Sequence, residues 1–194
     1  MAAAREAVKA AYEQGDQADL VVVVDMDGDF MAGVDSTWIS HAHNRLVSER
    51  EVFALAATSS PYYDLLAYES EEISFAGLDL RISKAQRNPL KYAQFMNKHI
   101  YSVQEKMTRD VETLCISAFN GMAVYLGSRY AQGSYLPEAL TMPVCEHVTF
   151  NRGLSRDGSR MIVDPSLMVP APAEHVRQSA RDLWSRGVRK VFSR

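Results

Sequence analysis

The hydrophobic positions of this chain follow two spacings, one helical and one extended. Ala2 to Glu13 is rich in Ala, Glu and Lys and closes at Gln14-Gly15-Asp16, the composition and glycine stop of a helix. Leu20 to Val24 is an unbroken apolar run that ends in acidic residues and Gly28, and it predicts a strand buried on both faces of an α/β sheet. Open sheets of this class place ligands outside the C-terminal ends of their strands, so chemistry is expected just after Val24. Asp35 or Ser36 caps a second predicted helix carrying Trp38, Ile39 and Leu46, and Val52 to Ala57 reads as the next strand. A further strand is predicted at Leu65 to Tyr68, after the Ser60-Pro61 turn. Between Pro89 and Met107 the residues Tyr92, Phe95, Met96, Ile100, Val103 and Met107 recur at spacings of three and four, an amphipathic helix. Leu114 to Tyr125 mixes small, apolar and aromatic residues around Asn120-Gly121, and Met161-Ile162-Val163 reads as a short strand stopped by Asp164-Pro165.

These elements predict one α/β domain over residues 1–175, three-layered with a mixed central sheet. Residues 176–194 are set apart as a basic amphipathic helix. Val176, Ala180, Leu183, Trp184, Val188 and Val191 share one face, and Arg177, Arg181, Arg186, Arg189, Lys190 and Arg194 supply positive charge. Such a tail either packs on the domain with its basic face solvated or makes a peripheral contact with a membrane surface or partner.

Composition narrows the function classes. The 194 residues, 47% of them hydrophobic, suffice for one substantial core. A formal net charge of −3 leaves no overall footprint for nucleic acid. The longest apolar run falls far short of the roughly 20 residues that span a bilayer, and no signal-peptide core is present, so a cytoplasmic protein is expected, with the basic tail as its route to the inner membrane surface. Cys115 and Cys145 are expected as thiols, and no CxxC or Cys/His cluster suggests zinc.

The densest candidate chemistry is Asp25-Met26-Asp27, with Asp29 two residues on. In an extended chain Asp25 and Asp27 point to the same side, and Gly28 permits a turn or a close backbone approach. Hard carboxylate oxygens suit Mn²⁺ or Mg²⁺, which neutralises a diphosphate as it departs. A solvated acidic turn is the plain alternative. A rival chemistry also fits, because four hydrophobic residues before Asp-x-Asp-Gly resemble the first motif of haloacid-dehalogenase-type phosphatases, with Asp25 as nucleophile and Asp27 as general acid. That family also needs a downstream lysine and a late acidic pair, and the best late strand here offers only Asp164.

Read in order, the segments resemble GT-A glycosyltransferases, particularly the large inverting family that includes bacterial polysaccharide and lipopolysaccharide synthases. Arg5 lies on the helix before Leu20-Val21-Val22-Val23-Val24-Asp25-Met26-Asp27. Ser117 to Tyr125 matches the family's glycine-containing turn and following strand. Glu146 to Phe150, Arg152, Gly158, Met161-Ile162-Val163 and Asp164-Pro165 match an acidic pair opening a helix, then an arginine, a glycine and a strand ending near proline. The resemblance spans about Arg5 to His175, and the family's first nucleotide-binding strand and helix would precede residue 1.

The resemblance implies transfer of a sugar from a nucleotide-sugar donor to the hydroxyl of a glycan or lipid-linked acceptor. It implies Asp25 and Asp27 at the donor and metal, and His175 as a later metal ligand. Glu146 or His147 is then the base, His147 standing where the family has its catalytic Asp. A glycosyltransferase-like binding module without turnover is a further alternative.

Other single residues carry weaker signals. Glu146 and His147 also suit ordinary helix capping or burial. Asn120 and Gly121 either let backbone approach a donor or acceptor sugar or simply make a tight turn. Tyr62 and Tyr63 stack on sugars or fill the core. His41 and His43, two apart in a predicted helix, do not share a face and are not read as a metal pair.

Overall fold

A computed structural model describes residues 2–15, 18–25, 36–108, 110–136 and 144–172. Helix α1 (Ala2–Gln14) leads to strand β1 (Leu20–Val24), and α2 (Ser36–Ser48) leads to β2 (Val52–Thr58). After a 3₁₀ turn at Leu65–Ala67 come α3 (Leu78–Ala85), α4 (Pro89–Phe95), a π-helical segment (Met96–Tyr101) and α5 (Ser102–Met107). Strands β3 (Thr113–Cys115) and β4 (Met122–Leu126), helices α6 (Gly127–Tyr130) and α7 (Glu146–Leu154), and strand β5 (Arg160–Met168) follow.

The fold is α/β with a five-stranded mixed sheet in the order β1-β4-β2-β5-β3. Strand β4 runs antiparallel to both β1 and β2, β2 runs parallel to β5, and β3 is antiparallel to β5. All seven residues of β2 are buried, because both faces of this central strand are covered. Phe53 and Ala56 enter one core with Tyr92, Ile100, Tyr101, Phe150 and Leu154. Leu55 and Ala57 enter a second core with Trp38, Ala42 and Leu46 of α2. Helices therefore pack on both faces of the sheet, and the register irregularity between Val52 and Ala54 interrupts the alternation, so that Phe53 shares a core with Ala54 and Ala56. The apolar stripe read between Pro89 and Met107 also turns inward: Tyr92 and Ile100 are buried, with Phe95, Met96, Val103 and Met107 packed against the same core.

Three expectations are corrected. Strand β1 is not an interior strand: it pairs only with β4 among the described residues, its positions are half-buried, and Val22 is exposed. Its valines still divide between the two cores, Val21 and Val23 against one and Val24 against the other, which accounts for the continuous apolar run. Leu65–Ala67 forms a 3₁₀ turn instead of a strand, because the Asp64 carboxylate accepts the Ala67 N–H at 3.2 Å and caps it. Strand β5 does not stop at Asp164-Pro165. Its pairing with β2 jumps from Ala56↔Val163 to Thr58↔Met168, so the proline, which has no N–H to give, is carried in a bulge. Asp164 Oδ1 accepts both the N–H (2.8 Å) and the hydroxyl (2.7 Å) of Ser166 there and fixes the bulge.

Helix α7 is tied to the sheet by polar groups in the core. Asn151 accepts the Tyr125 hydroxyl at 3.0 Å and donates to the Ser117 hydroxyl at 3.0 Å, and Ser117 donates to the Ala67 carbonyl at 2.7 Å. Asn151, Ser117 and Tyr125 are each fully buried. Stranding a buried partner costs about 1–3 kcal/mol. Replacing Asn151 with Ala is therefore expected to cost about 2–4 kcal/mol and to lower the melting temperature by about 5–15 °C. Urea and thermal unfolding of the variant check this, and an unchanged midpoint refutes it.

Candidate functional site

The site is assembled by a two-residue reversal before β4. Asn120 (φ 50°) and Gly121 (φ 85°) both adopt left-handed backbone, which Asn and Gly tolerate best. The Gly121 carbonyl accepts the Asp25 N–H at 2.9 Å and so holds Asp25 at the end of β1. The Asn120 side chain works on the opposite flank. Its Oδ1 accepts the N–H groups of Tyr63 (3.1 Å) and Asp64 (3.2 Å), while its Nδ2 donates to Ser59 Oγ (2.8 Å). The turn thus sets two carboxylates, Asp25 by backbone and Asp64 by a buried amide.

Two helices bring the remaining groups. Helix α7 opens at Glu146, and α1 carries Arg5 across to it. Arg5 Nη2 donates to Asp25 Oδ1 at 3.1 Å and Arg5 Nε to Glu146 Oε1 at 3.3 Å. Its guanidinium lies 5.6 Å from the centroid of the Phe119 ring. His147 is stacked on Phe119 at 3.7 Å between centroids, with the planes 14° apart. Behind the site, Arg152 donates to both oxygens of Glu69 at 2.6 Å.

These residues line one pocket of about 310 Å³. Arg5, Asp25, Asp64, Phe119, Glu146 and His147 line it together with Leu66, Phe75, Ala76 and Asp79. A space of this size is at the small end for ligand sites, which span about 300–1,000 Å³. Its polar groups are hydrogen-bond acceptors and one guanidinium, among apolar side chains, a set that can bind hydroxyls and take up a proton.

Asp25, Glu146 and His147 meet in the pocket. Asn120 and Gly121 do not line it: the Asn120 side chain is wholly buried and occupied with the loop at 59–64, so it positions Asp64 instead of meeting a ligand. Tyr62 and Tyr63 are core residues, at 1% and 8% exposure, and have no face to offer a sugar. Asp27, Asp29, His175 and the tail at 176–194 lie outside the described residues. Cys115 and Cys145 are free thiols. Among the described residues no group of three or more His, Cys, Asp or Glu side chains is arranged to hold a metal ion, and no helix is long and apolar enough to cross a membrane.

Asp64 is the site residue that the sequence pattern does not single out. It is hidden between Tyr62-Tyr63 and an apolar segment that reads as a strand. The available signal is Asp at the head of a short turn, a capping position that withdraws it from the strand pattern.

Burial governs the electrostatics. His147, 3% exposed, is pushed down to about 3 by burial and secondarily by the Arg5 charge, so its imidazole is neutral near neutral pH. Asp64 is only half-buried by surface but is densely surrounded by protein. Desolvation, with Asp25 and Glu146 adding to it, raises the Asp64 carboxyl to about 7 against the opposing pull of the Ala67 N–H and Arg5. The Cys145 thiol is pushed up to about 12, mainly by burial, and is not a nucleophile at neutral pH.

Comparison with protein-family models, curated proteins and solved structures gives no match.

The two shifted groups oppose each other in the pH dependence of stability. Between about 3 and the ordinary His value of 6.5, the unfolded state takes up a proton that buried His147 refuses, so this group makes stability rise with pH. Between the ordinary Asp value of 3.8 and about 7, folded Asp64 holds a proton that the unfolded chain has released, so this group makes stability fall with pH. Each contributes a slope of at most about 1.4 kcal/mol per pH unit. The intact protein is expected to be nearly flat from about pH 4.5 to 6.5. Asp64→Asn should then rise with pH and His147→Phe should fall. Urea unfolding across this range checks the signs, and parallel profiles for the two variants contradict the assignments.

Proposed function

We propose that the chain is a metal-dependent glycosyltransferase of the GT-A type, moving a sugar from a nucleotide-sugar donor to the hydroxyl of a glycan or lipid-linked acceptor. The observation that carries this reading is the joining of Asp25 and Glu146 by Arg5 at one pocket. The resemblance assigns these residues to one site, although they stand at the start, near the middle of the N-terminal third and late in the sequence. Their shared pocket supports the reading because a donor-binding strand end and a base must face the same reacting carbon.

Among the described residues the pocket offers Asp25 as a hard carboxylate ligand, already in contact with Arg5, and no three-ligand set; the other ligands of this reading, Asp27 and His175, lie outside the described residues. Asp25 and Asp27 would hold Mn²⁺ or Mg²⁺, with His175 as the further ligand that the resemblance implies; the ion would neutralise the diphosphate leaving group.

Glu146 is the base of this reading. The acceptor hydroxyl gives its proton to the carboxylate while its oxygen bonds to the anomeric carbon and the bond to the diphosphate breaks. His147 is set aside for that step, because a buried imidazole pushed down to about 3 has too little proton affinity near neutrality. It supports Phe119, on which Arg5 also rests. Arg5 orients Glu146 and Asp25 together. The phosphatase reading is weaker in this pocket: the cation at Asp25 is Arg5, and among the described residues no lysine lines the site.

Turnover of a panel of nucleotide sugars with Mn²⁺, together with calorimetric donor binding, tests the proposal. Glu146→Gln is expected to lose about 10²-fold or more in turnover while still binding donor. Asp27→Ala is expected to lose metal-dependent donor binding with little change in stability. Normal turnover by Glu146→Gln removes the base assignment. A phospho-aspartate at Asp25 after incubation with phosphomonoesters replaces the transferase with a phosphatase, and donor binding without turnover across the panel replaces it with a binding module.

A further inference from the structure

The proposed glycosyl transfer leaves open which sugars enter the pocket, and the charges around it bear on that. Asp25, Asp64, Glu69, Asp79 and Glu146 all contribute to its lining. Among the described residues Arg5 is the one cation in that lining, and it is shared between Asp25 and Glu146. Glu69 is answered from behind by Arg152. Asp64 has no ion-pair partner among the described residues. One of its oxygens caps the Leu65–Ala67 turn, and the residue lines the pocket.

Two further observations point to a hydroxyl-bearing ligand. His147, nine-tenths buried on the pocket wall, has an Nδ1 with no hydrogen-bond partner among the described residues. Nδ1 has no accessible surface in this structure, so a ligand hydroxyl would supply its missing partner on a turn of the imidazole toward the pocket. Leu66, Phe75 and Ala76 add apolar side chains to the same lining, and Leu66 is 40% exposed. Carboxylate acceptors and apolar side chains lining one pocket match a pyranose, which presents hydroxyls around its edge and C–H groups on its face.

We propose that this pocket receives the pyranose ring of an uncharged or amino sugar, that Asp64 is the specificity-determining residue which accepts its hydroxyls, and that sugars bearing a carboxylate are rejected. The physical basis is like-charge repulsion in a partly desolvated space, where screening is weak and a misplaced charge is costly. An amino sugar brings a cation to the same carboxylates and is accepted. The inference rests on the transferase reading for its biological meaning, but the binding selectivity stands by itself and is measured separately.

The test uses the full chain and ligand-observed saturation-transfer NMR with methyl glycosides of glucose, galactose and mannose, their 2-amino analogues and their 6-carboxylates, at 0.1 M salt and about pH 8.5, above the value of about 7 to which the Asp64 carboxyl is raised. At least one neutral or amino glycoside is expected to bind at least tenfold more tightly than its carboxylate counterpart. Asp64→Asn, which keeps an oxygen to cap the turn, should weaken the neutral sugar several-fold and narrow the gap to the carboxylate form. Thermal melting verifies that the variant folds, and the wild-type comparison of neutral and carboxylate sugars needs no variant. Equal binding of carboxylate sugars, no binding of any neutral or amino glycoside, or unchanged selectivity in folded Asp64→Asn overturns the proposal. Selective sugar binding without turnover of nucleotide sugars overturns the transferase reading and leaves this one standing. Turnover of uronic-acid donors as fast as neutral ones does the reverse.

Discussion

Arg5 is the contact on which the pocket depends. Helix α1 has Lys9 as its one buried residue, so it is not drawn onto the sheet by a broad apolar face. It docks through polar and aromatic contacts. Arg5 spans Asp25 and Glu146, Glu6 accepts the Tyr135 N–H at 2.7 Å, and the Tyr12 ring meets Tyr130 edge-on while its hydroxyl reaches the Ala18 carbonyl. Hydrogen bonds to charged groups contribute about 1.5–3 kcal/mol each when sheltered. The guanidinium and its two carboxylates are each no more than 30% exposed. Without Arg5, Asp25 and Glu146 would face each other and Asp64 with no counter-charge in the lining, so the docking of α1 and the formation of the site are the same event.

Two buried amides carry the remaining architecture, and each does so by satisfying several groups at once. Asn120 takes two backbone N–H groups and gives one bond to Ser59, which freezes the loop bearing Asp64. Asn151 joins Tyr125 to Ser117, which fixes the helix bearing Glu146 and His147. A buried amide is unfavourable unless its bonds are made, so each admits one arrangement of its surroundings. Side chains that must meet a ligand within a fraction of an ångström need such supports behind them.

The sequence exposes those features that depend on local periodicity. The stripe from Tyr92 to Met107, the central strand from Val52 and the helices at Ala2 and Ser36 declare themselves by spacing and caps. Sheet order does not. An apolar run of valines looks the same on an interior strand and on β1, whose two faces are partly covered although one edge lacks a pairing partner among the described residues. Pro165 reads as a stop because the pattern does not reveal the bulge in which Asp164 and Ser166 carry the chain past it. At the site, Asp25, Glu146 and His147 are legible from their place at the ends of elements. Asp64 is not, because its own capping bond is a local turn feature, while the bond that holds its backbone at the site comes from Asn120, 56 positions away. The same distance in sequence hides why Asn120 itself is polar: its partners are backbone groups.

Burial acts on the site's titratable groups with one rule and two outcomes. It disfavours charge, so it strips the proton from His147 and lets Asp64 keep its own up to about pH 7. The groups that stand with Arg5 are different. Asp25 and Glu146 have a cation in contact, whereas Asp64 meets both of their negative charges with no cation in hydrogen-bonding reach among the described residues. Three carboxylates of the same chemistry are thereby divided by position alone. Divergent environments for paired carboxyl groups are how one site separates acid from base and binding from proton transfer. On this ground Glu146, oriented by a guanidinium at the first turn of a helix, is suited to the reacting hydroxyl. Asp64, fixed by a buried amide in the same lining, is suited under the proposed reading to holding the sugar ring.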